Sequence, residues 1–117
     1  TMEEIVPLNH EYRLVKKFLD LYPDVDGVFT STDMFAASLI KELNYRGYSV
    51  PRDVQVIGFD GIQDNDLFHP VISTIVQPVE KIAQTSVQLL LDSINQKDVP
   101  KENILDIEYR KGETSLF

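Results

Sequence analysis

The 117-residue sequence has no cysteine and no tryptophan, and positive charge is scarce, with 11 Lys and Arg against 19 Asp and Glu. Without cysteine there is no disulfide framework and no cysteine-based zinc site. A protein segment that binds phosphate backbones needs clustered positive charge. The net charge of −8 therefore argues that these residues do not bind nucleic acid in this way. No apolar run approaches the length of a membrane span, and no signal peptide opens the chain. We therefore expect an acidic, soluble domain that is compatible with the cytoplasm and binds no membrane.

What the sequence does contain is the material for one modest core. Hydrophobic residues make up 43% and charged residues 26%, which is ordinary for a globular domain and wrong for disorder. The chain starts at Thr1 and runs almost at once into the apolar patch Ile5–Leu8. This start is the one expected of a segment of a longer protein.

Helical and strand-like patterns alternate in the first half of the chain. Asn9 is a good N-cap for a helix that Pro23 ends, and residues 25–31 are strand-like. A second helix is predicted over residues 34–46, with Gly47 where a C-cap glycine belongs.

The alternation continues in the second half. Residues 54–59 form a β-branched run typical of a buried strand, and residues 71–76 predict another strand. The apolar stripe from Val79 to Ile94 predicts a long helix with Pro78 at its first position. A final strand is predicted over residues 104–109, with alternate residues facing inward.

Strands that alternate with helices indicate an α/β layered fold with parallel strands. Such sheets bind ligands beyond the carboxyl ends of their strands. Three polar segments follow predicted strands, namely Thr32–Asp33, Asp60 and Gln77. We expect all three to face one edge of the sheet.

Each of these residues has two interpretations. The Asp60 carboxylate can accept two hydrogen bonds from neighbouring hydroxyls, or it can bond its own backbone two residues on in an Asx-turn, and spacing alone favours neither. Asp33 is either the N-cap of the second helix or a ligand contact, and Thr32 as cap would release it. Gln77 either neighbours the start of the third helix or contacts a ligand through its amide.

The sequence contains no recognisable motif for metal binding, cofactor binding or catalysis. Asp64, Asp66 and His69 lack the spacing of a calcium loop, so no metal and no cofactor are expected. The sequence has no nucleophile elbow and no phosphate-binding loop, which argues against an enzyme. Residues 74–83 superficially resemble the opening of a helix-turn-helix, but the apolar stripe runs unbroken to Ile94 and predicts a single helix.

Several motifs, in order, resemble the LacI/GalR family of transcriptional regulators. They are the strand and turn over residues 26–33, Gly47 followed by Val50-Pro51, the run 50–61 with Gly58-Phe59-Asp60-Gly61, Pro70 with residues 72–78, and the closing segment from Tyr109-Arg110 to Thr114-Ser115. The sequence departs from the family's usual residues at Thr32, Gly61 and Ile72, which line or neighbour the effector pocket.

The resemblance implies part of a periplasmic-binding-protein-like type I fold, in which a ligand lies between two lobes. Residues 1–77 would be part of the C-terminal lobe of the effector-binding domain. Residues 78–117 would be the crossover helix and the final strand, returning towards the other lobe.

The resemblance also implies a function. Asp60 would hydrogen-bond the effector, a sugar or sugar phosphate, Asp33 and Thr32 would line the same cleft, and Gln77 would lie at the hinge. The family forms homodimers, whose interface would include Phe35, Leu67 and Phe68. Operator DNA would be bound only through an N-terminal helix-turn-helix outside these residues.

Two other classes compete with this interpretation. A solute-binding protein of a transport system shares the fold without the DNA-binding headpiece. An enzyme on a flavodoxin-like scaffold would need a nucleophile or phosphate loop at a strand end.

Overall fold

The computed structural model describes residues 8–62 and 69–117. Three helices and four strands alternate through this part of the chain. In order they are α1 (Leu8–Leu21), β1 (Gly27–Phe29), α2 (Asp33–Tyr45), β2 (Gln55–Asp60), β3 (Ser73–Val76), α3 (Val79–Ile94) and β4 (Glu108–Arg110).

The four strands form one sheet in the order β1-β2-β3-β4. β1 pairs with β2 and β2 with β3, both in parallel, whereas β4 runs antiparallel to β3. The sheet is therefore mainly parallel, and the predicted α/β layered fold is confirmed. The carboxyl ends of β1, β2 and β3 lie along the same edge of the sheet.

The core lies between the sheet and the pair of helices α1 and α2. Its buried apolar side chains come from the periodic positions of both helices and from alternate positions of the strand segments, as an amphipathic pattern requires. They are Val15, Leu19, Ala36, Leu39, Ile40, Leu43, Val54, Val56 and Ile72.

The ends of the helices follow local chemistry. α2 begins after Thr32, whose hydroxyl oxygen accepts the Phe35 N–H at 3.1 Å. Arg46 is the C-cap of α2, and Gly47 directly after it has φ +86°, a conformation that glycine adopts without steric cost, so Gly47 ends the helix as predicted. α1 begins two residues earlier than expected, so Asn9 lies inside the helix rather than at its cap.

Three strands are shorter than the sequence predicts. β1 and β3 span Gly27–Phe29 and Ser73–Val76, and β4 spans Glu108–Arg110 instead of residues 104–109. The inward alternation expected for the last strand is wrong, since the Ile107 side chain is 59% exposed. β4 consists only of the three residues that pair with β3, and Ile107 lies just before them, outside the sheet.

α3 is one unbroken helix, as predicted, but none of its residues is buried. Leu90 and Ile94 on its apolar stripe are 61% and 67% exposed. The radius of gyration is 18.3 Å, against about 13 Å expected for a compact chain of this length. No helix among the described residues is long and apolar enough to cross a membrane.

A buried carboxylate links α1 to α2, away from the carboxyl ends of the strands. Glu42 is 2% exposed and accepts bonds from the Tyr12 hydroxyl at 2.6 Å and the Arg46 Nε at 2.8 Å. Arg46 also pairs with Asp20 on α1 at 2.7 Å. Burial by itself would raise the pKa of Glu42, but the bonds from Tyr12 and Arg46 outweigh it and lower that pKa.

We predict that Glu42 makes the protein sensitive to acid. Because its native pKa is lowered, the carboxylate stabilises the native state above the unfolded-state pKa of about 4.3, and that stabilisation is lost as pH falls through the native pKa. Glu42→Gln should lower the free energy of unfolding at pH 7, and the deficit should shrink as pH falls below about 4.3. Urea titrations across pH measure this, with exposed Glu80→Gln as control. A deficit that does not change with pH would contradict the assignment.

Glycine at position 58 lets β2 pass close to the start of α2. A Cβ built on Gly58 would overlap Asp33 Oδ1 and come within 3.3 Å of Asp33 Cα. We expect Gly58→Ala to lower the free energy of unfolding by about 1–3 kcal/mol, the usual cost of overpacking. Gly27→Ala on β1 is the matched control, because a Cβ there meets nothing within 4 Å. Equal urea midpoints for the two variants would contradict the close approach.

Candidate functional site

Two of the predicted polar residues meet at the carboxyl edge of the sheet. Asp60 is the last residue of β2 and is in register with Val76 of β3, which Gln77 follows. The Gln77 side-chain amide donates to Asp60 Oδ1 at 2.8 Å, and both residues are half-buried. We call these two residues the Asp60–Gln77 pair.

The chain turns sharply as it leaves β2. Asp60 has φ +115° and Gly61 φ +80°, both in a region that L-residues with side chains rarely adopt. A Cβ on Gly61 would come within 2.8 Å of Val76 Cα, so the turn packs directly against β3.

The Asx-turn interpretation of Asp60 is wrong in this structure. That turn requires the N–H two residues on, which belongs to Ile62, and this group donates to Asp33 Oδ2 at 2.7 Å instead. The Asp60 side chain instead accepts the Gln77 amide. A carboxylate has about four acceptor positions, so it keeps capacity for the hydroxyls of a ligand.

Asp33 lies beneath this edge rather than on it. It is 1% exposed, and its two oxygens accept the Ile62 N–H and the Thr74 hydroxyl, the latter at 2.5 Å. Since Thr32 caps α2, the expectation that Asp33 is the cap is corrected. The expectation that its side chain faces an open cleft is also corrected, because the carboxylate is used to join α2, β3 and the segment after β2.

Thr32 lies three residues beyond the end of β1 and is half-buried. Its hydroxyl oxygen is taken by the Phe35 N–H, which leaves the hydroxyl hydrogen able to donate. Its carbonyl accepts the Thr30 hydroxyl at 2.9 Å. The cap thus holds the Thr32 side chain in one orientation at the strand-end edge.

The remaining predicted residues are only partly described. Phe35 is half-buried and packs against the core. Leu67 and Phe68, expected at a dimer interface, lie outside the described residues, as do Asp64 and Asp66. His69 is exposed, and residues 8–62 and 69–117 hold no cluster of three acidic or histidine side chains that could bind a metal ion.

Two residues that organise this edge, Thr74 and Gly58, were not predicted as site residues from the sequence. Thr74 is fully buried and donates to Asp33, 41 positions away in the chain. A threonine in a strand gives no signal of such a role. Gly58 did carry a signal, because a glycine inside a β-branched strand often marks the close approach of another backbone.

A mainly parallel α/β sheet with polar side chains at the carboxyl ends of its strands defines a class of small-ligand-binding lobes. Residues 2–115 match the family described as periplasmic binding protein-like domain. The chain belongs to this family, in the form found in LacI-type transcriptional regulators.

Three relatives illustrate the likeness. The HTH-type transcriptional regulator MalR of Clostridium butyricum is 38% identical over 97 residues, covering 83% of this chain and 29% of that protein. The solved complex of transcriptional regulator CelR with cellobiose has a TM-score of 0.84 at 27% identity, covering 92% of this chain and 33% of that one. A LacI family transcriptional regulator from Enterococcus faecium with bound ribose has a TM-score of 0.76 at 31% identity, covering 92% and 40%. The chain thus spans about a third of the length of these relatives.

We predict that Asp33→Asn destabilises the fold, because an amide offers one acceptor atom where Asp33 uses two. Losing a hydrogen bond to a buried charged group costs about 1.5–3 kcal/mol. Asp53→Asn is the matched control, since Asp53 is exposed and, among the described residues, accepts only the Ser49 N–H at 2.7 Å in a surface turn. Urea unfolding should separate the two variants, and equal stability would remove Asp33 from its bridging role.

Proposed function

We propose that these residues are the effector-binding and dimerising portion of a sugar-responsive, DNA-binding transcriptional repressor that acts in the cytoplasm. The observation that carries the proposal is the Asp60–Gln77 pair at the carboxyl edge of the sheet. A carboxylate held by an amide still offers acceptors to neighbouring hydroxyls, which is the recognition chemistry of a sugar. Solved relatives with bound cellobiose and ribose support the same class of ligand.

Each edge residue then has a distinct role. Asp60 accepts hydrogen bonds from the hydroxyls of the effector, a sugar or sugar phosphate, and Gln77 orients Asp60 at the hinge between lobes. Thr32 donates its hydroxyl hydrogen into the same cleft. Asp33 supports the cleft from beneath, since its oxygens are engaged by the protein.

The two-lobe division belongs to the proposal. Residues 1–77 form part of the C-terminal lobe, and residues 78–117 contain the crossover helix α3 and the final strand. The exposed apolar stripe of α3 supports this division, because a helix with one apolar face must bury it against another element. In contrast to the expectation that the final strand returns towards the other lobe, we place the last residues on the C-terminal lobe, because β4 pairs with β3 and Thr114 is fully buried.

A homodimer links effector binding to DNA. We place Phe35, Leu67 and Phe68 at its interface, and α2 also presents Met34, which is 39% exposed. An effector that favours one arrangement of the lobes changes the spacing between two DNA-binding headpieces, which must match half-sites at a fixed distance. We propose that operator DNA is bound by a helix-turn-helix outside these residues, because a net charge of −8 does not suit contacts to phosphates.

The alternative of a solute-binding protein of a transport system is less well supported. The relatives described above are named as transcriptional regulators. We likewise propose a binding function that requires no catalysis and no cofactor.

The test is sugar binding by the full-length protein in calorimetry, with ribose and cellobiose first in a panel of mono- and disaccharides. Asp60→Asn should weaken binding of the sugar by about 1.5–3 kcal/mol, the scale of a hydrogen bond to a charged group. The fold should stay intact, because Asp60 lies on a half-exposed edge.

Asp53→Asn serves as the control here as well, because it removes the same charge from an exposed turn. Unchanged affinity in Asp60→Asn would remove Asp60 from the site. A wild-type protein that binds none of the sugars would overturn the assignment of the effector class.

A further inference from the structure

Arg110 reaches from the last strand to the segment that leaves the candidate site. It stands opposite Thr74 in the antiparallel pairing of β4 with β3. One terminal nitrogen of its guanidinium, Nη2, donates to the Ile62 carbonyl at 3.1 Å. Arg110 therefore joins the strand that follows the crossover to the turn that follows Asp60.

Arg110 is half-buried, and part of its guanidinium is shielded from solvent. Its other terminal nitrogen, Nη1, is buried and meets no acceptor within residues 8–62 and 69–117. An arginine nitrogen without an acceptor loses hydration and gains nothing in return. Within the part of the chain that the structure describes, the bond to the Ile62 carbonyl is the one hydrogen bond of the Arg110 side chain.

Ile62 is held from both sides of its main chain. Its N–H donates to the buried Asp33 carboxylate, and its carbonyl accepts from Arg110. Only Gly61 separates Ile62 from Asp60, and the turn at Gly61 packs directly against Val76. A displacement of Ile62 therefore cannot be absorbed within the turn and reaches the Asp60 carboxylate.

We propose that Arg110 is a positioning residue for sugar binding. Through the Ile62 carbonyl it holds Asp60 in place against Gln77, and it links this geometry to residues 78–107, which lead into β4. This inference rests on the proposed function, in which Asp60 contacts the effector. In this inference, β4 transmits the relative arrangement of the two lobes to the Asp60 carboxylate, which binds the sugar.

The first test requires no sugar. In NMR spectra of the protein, Arg110→Met should shift the side-chain amide signals of Gln77 and speed hydrogen exchange of the Ile62 amide about tenfold, the ratio that corresponds to about 1.4 kcal/mol. Lys111→Met is the matched control, because it removes the same charge from the next residue, which donates to the Leu116 carbonyl. Unchanged Gln77 signals in Arg110→Met would overturn the inference whether or not a sugar binds.

The second test is a double-mutant cycle on the binding of ribose or cellobiose. Arg110→Met should weaken binding about tenfold in the wild-type background and have no further effect in Asp60→Asn, since it acts through Asp60. A purely structural role would give the same loss in both backgrounds and would contradict the inference. If the wild type binds no sugar, the proposed function fails, whereas the NMR result on Arg110 stands.

A conservative variant guards against misfolding. Arg110→Lys keeps a positive charge and a donor at the same place on β4, so it should restore part of the affinity and of the Gln77 signal that Arg110→Met loses. The amide of Val56, which donates to the Thr114 carbonyl at 2.8 Å, reports whether the sheet and the last residues remain folded. A folded Arg110→Lys with no recovery relative to Arg110→Met would count against the proposed bond.

Discussion

The carboxyl edge of the sheet depends on one buried group, the Asp33 carboxylate. Removing a carboxylate from water is expensive unless its oxygens accept hydrogen bonds, and here the Ile62 N–H and the Thr74 hydroxyl supply them. These donors belong to the segment after β2 and to β3, while Asp33 itself opens α2. One side chain thus fixes three parts of the chain relative to each other, and the path of the chain beyond Asp60 follows from that fixation.

The network at this edge is separate from the brace between α1 and α2. Glu42, with Tyr12 and Arg46, joins the two helices, and it shares no residue with the bonds of Asp33. Sites without common partners usually contribute additively to stability. A substitution in one network should therefore change stability by an amount that does not depend on the other network.

The sequence predicted what depends on local pattern. The alternation of strands and helices gave the α/β fold, and Gly47 marked the end of α2 correctly. The sequence allowed the alternative in which Thr32 caps the helix and releases Asp33. It did not predict that Asp33 would bond to Thr74, because the two residues are 41 positions apart in the chain. The same limit applies to Arg110 and Ile62, which are 48 positions apart and meet only through the pairing of β4 with β3. The predicted strands were too long, because β-propensity does not show where a neighbouring strand ends.

The positive φ of Asp60 restricts which residues that position can carry during evolution. Most side chains pay about 1–3 kcal/mol to occupy such a conformation, and Asn, Asp and Gly tolerate it best. Glycine would relieve the strain but offers no side chain, so few substitutions could both fit the turn and recognise a ligand. Under the proposed function, a lineage that adapts to a different sugar would meet less resistance at Thr32, whose extended backbone carries no such strain and whose capping role Ser, Asn and Asp also fill. Position 60 would remain constant while its surroundings diversify.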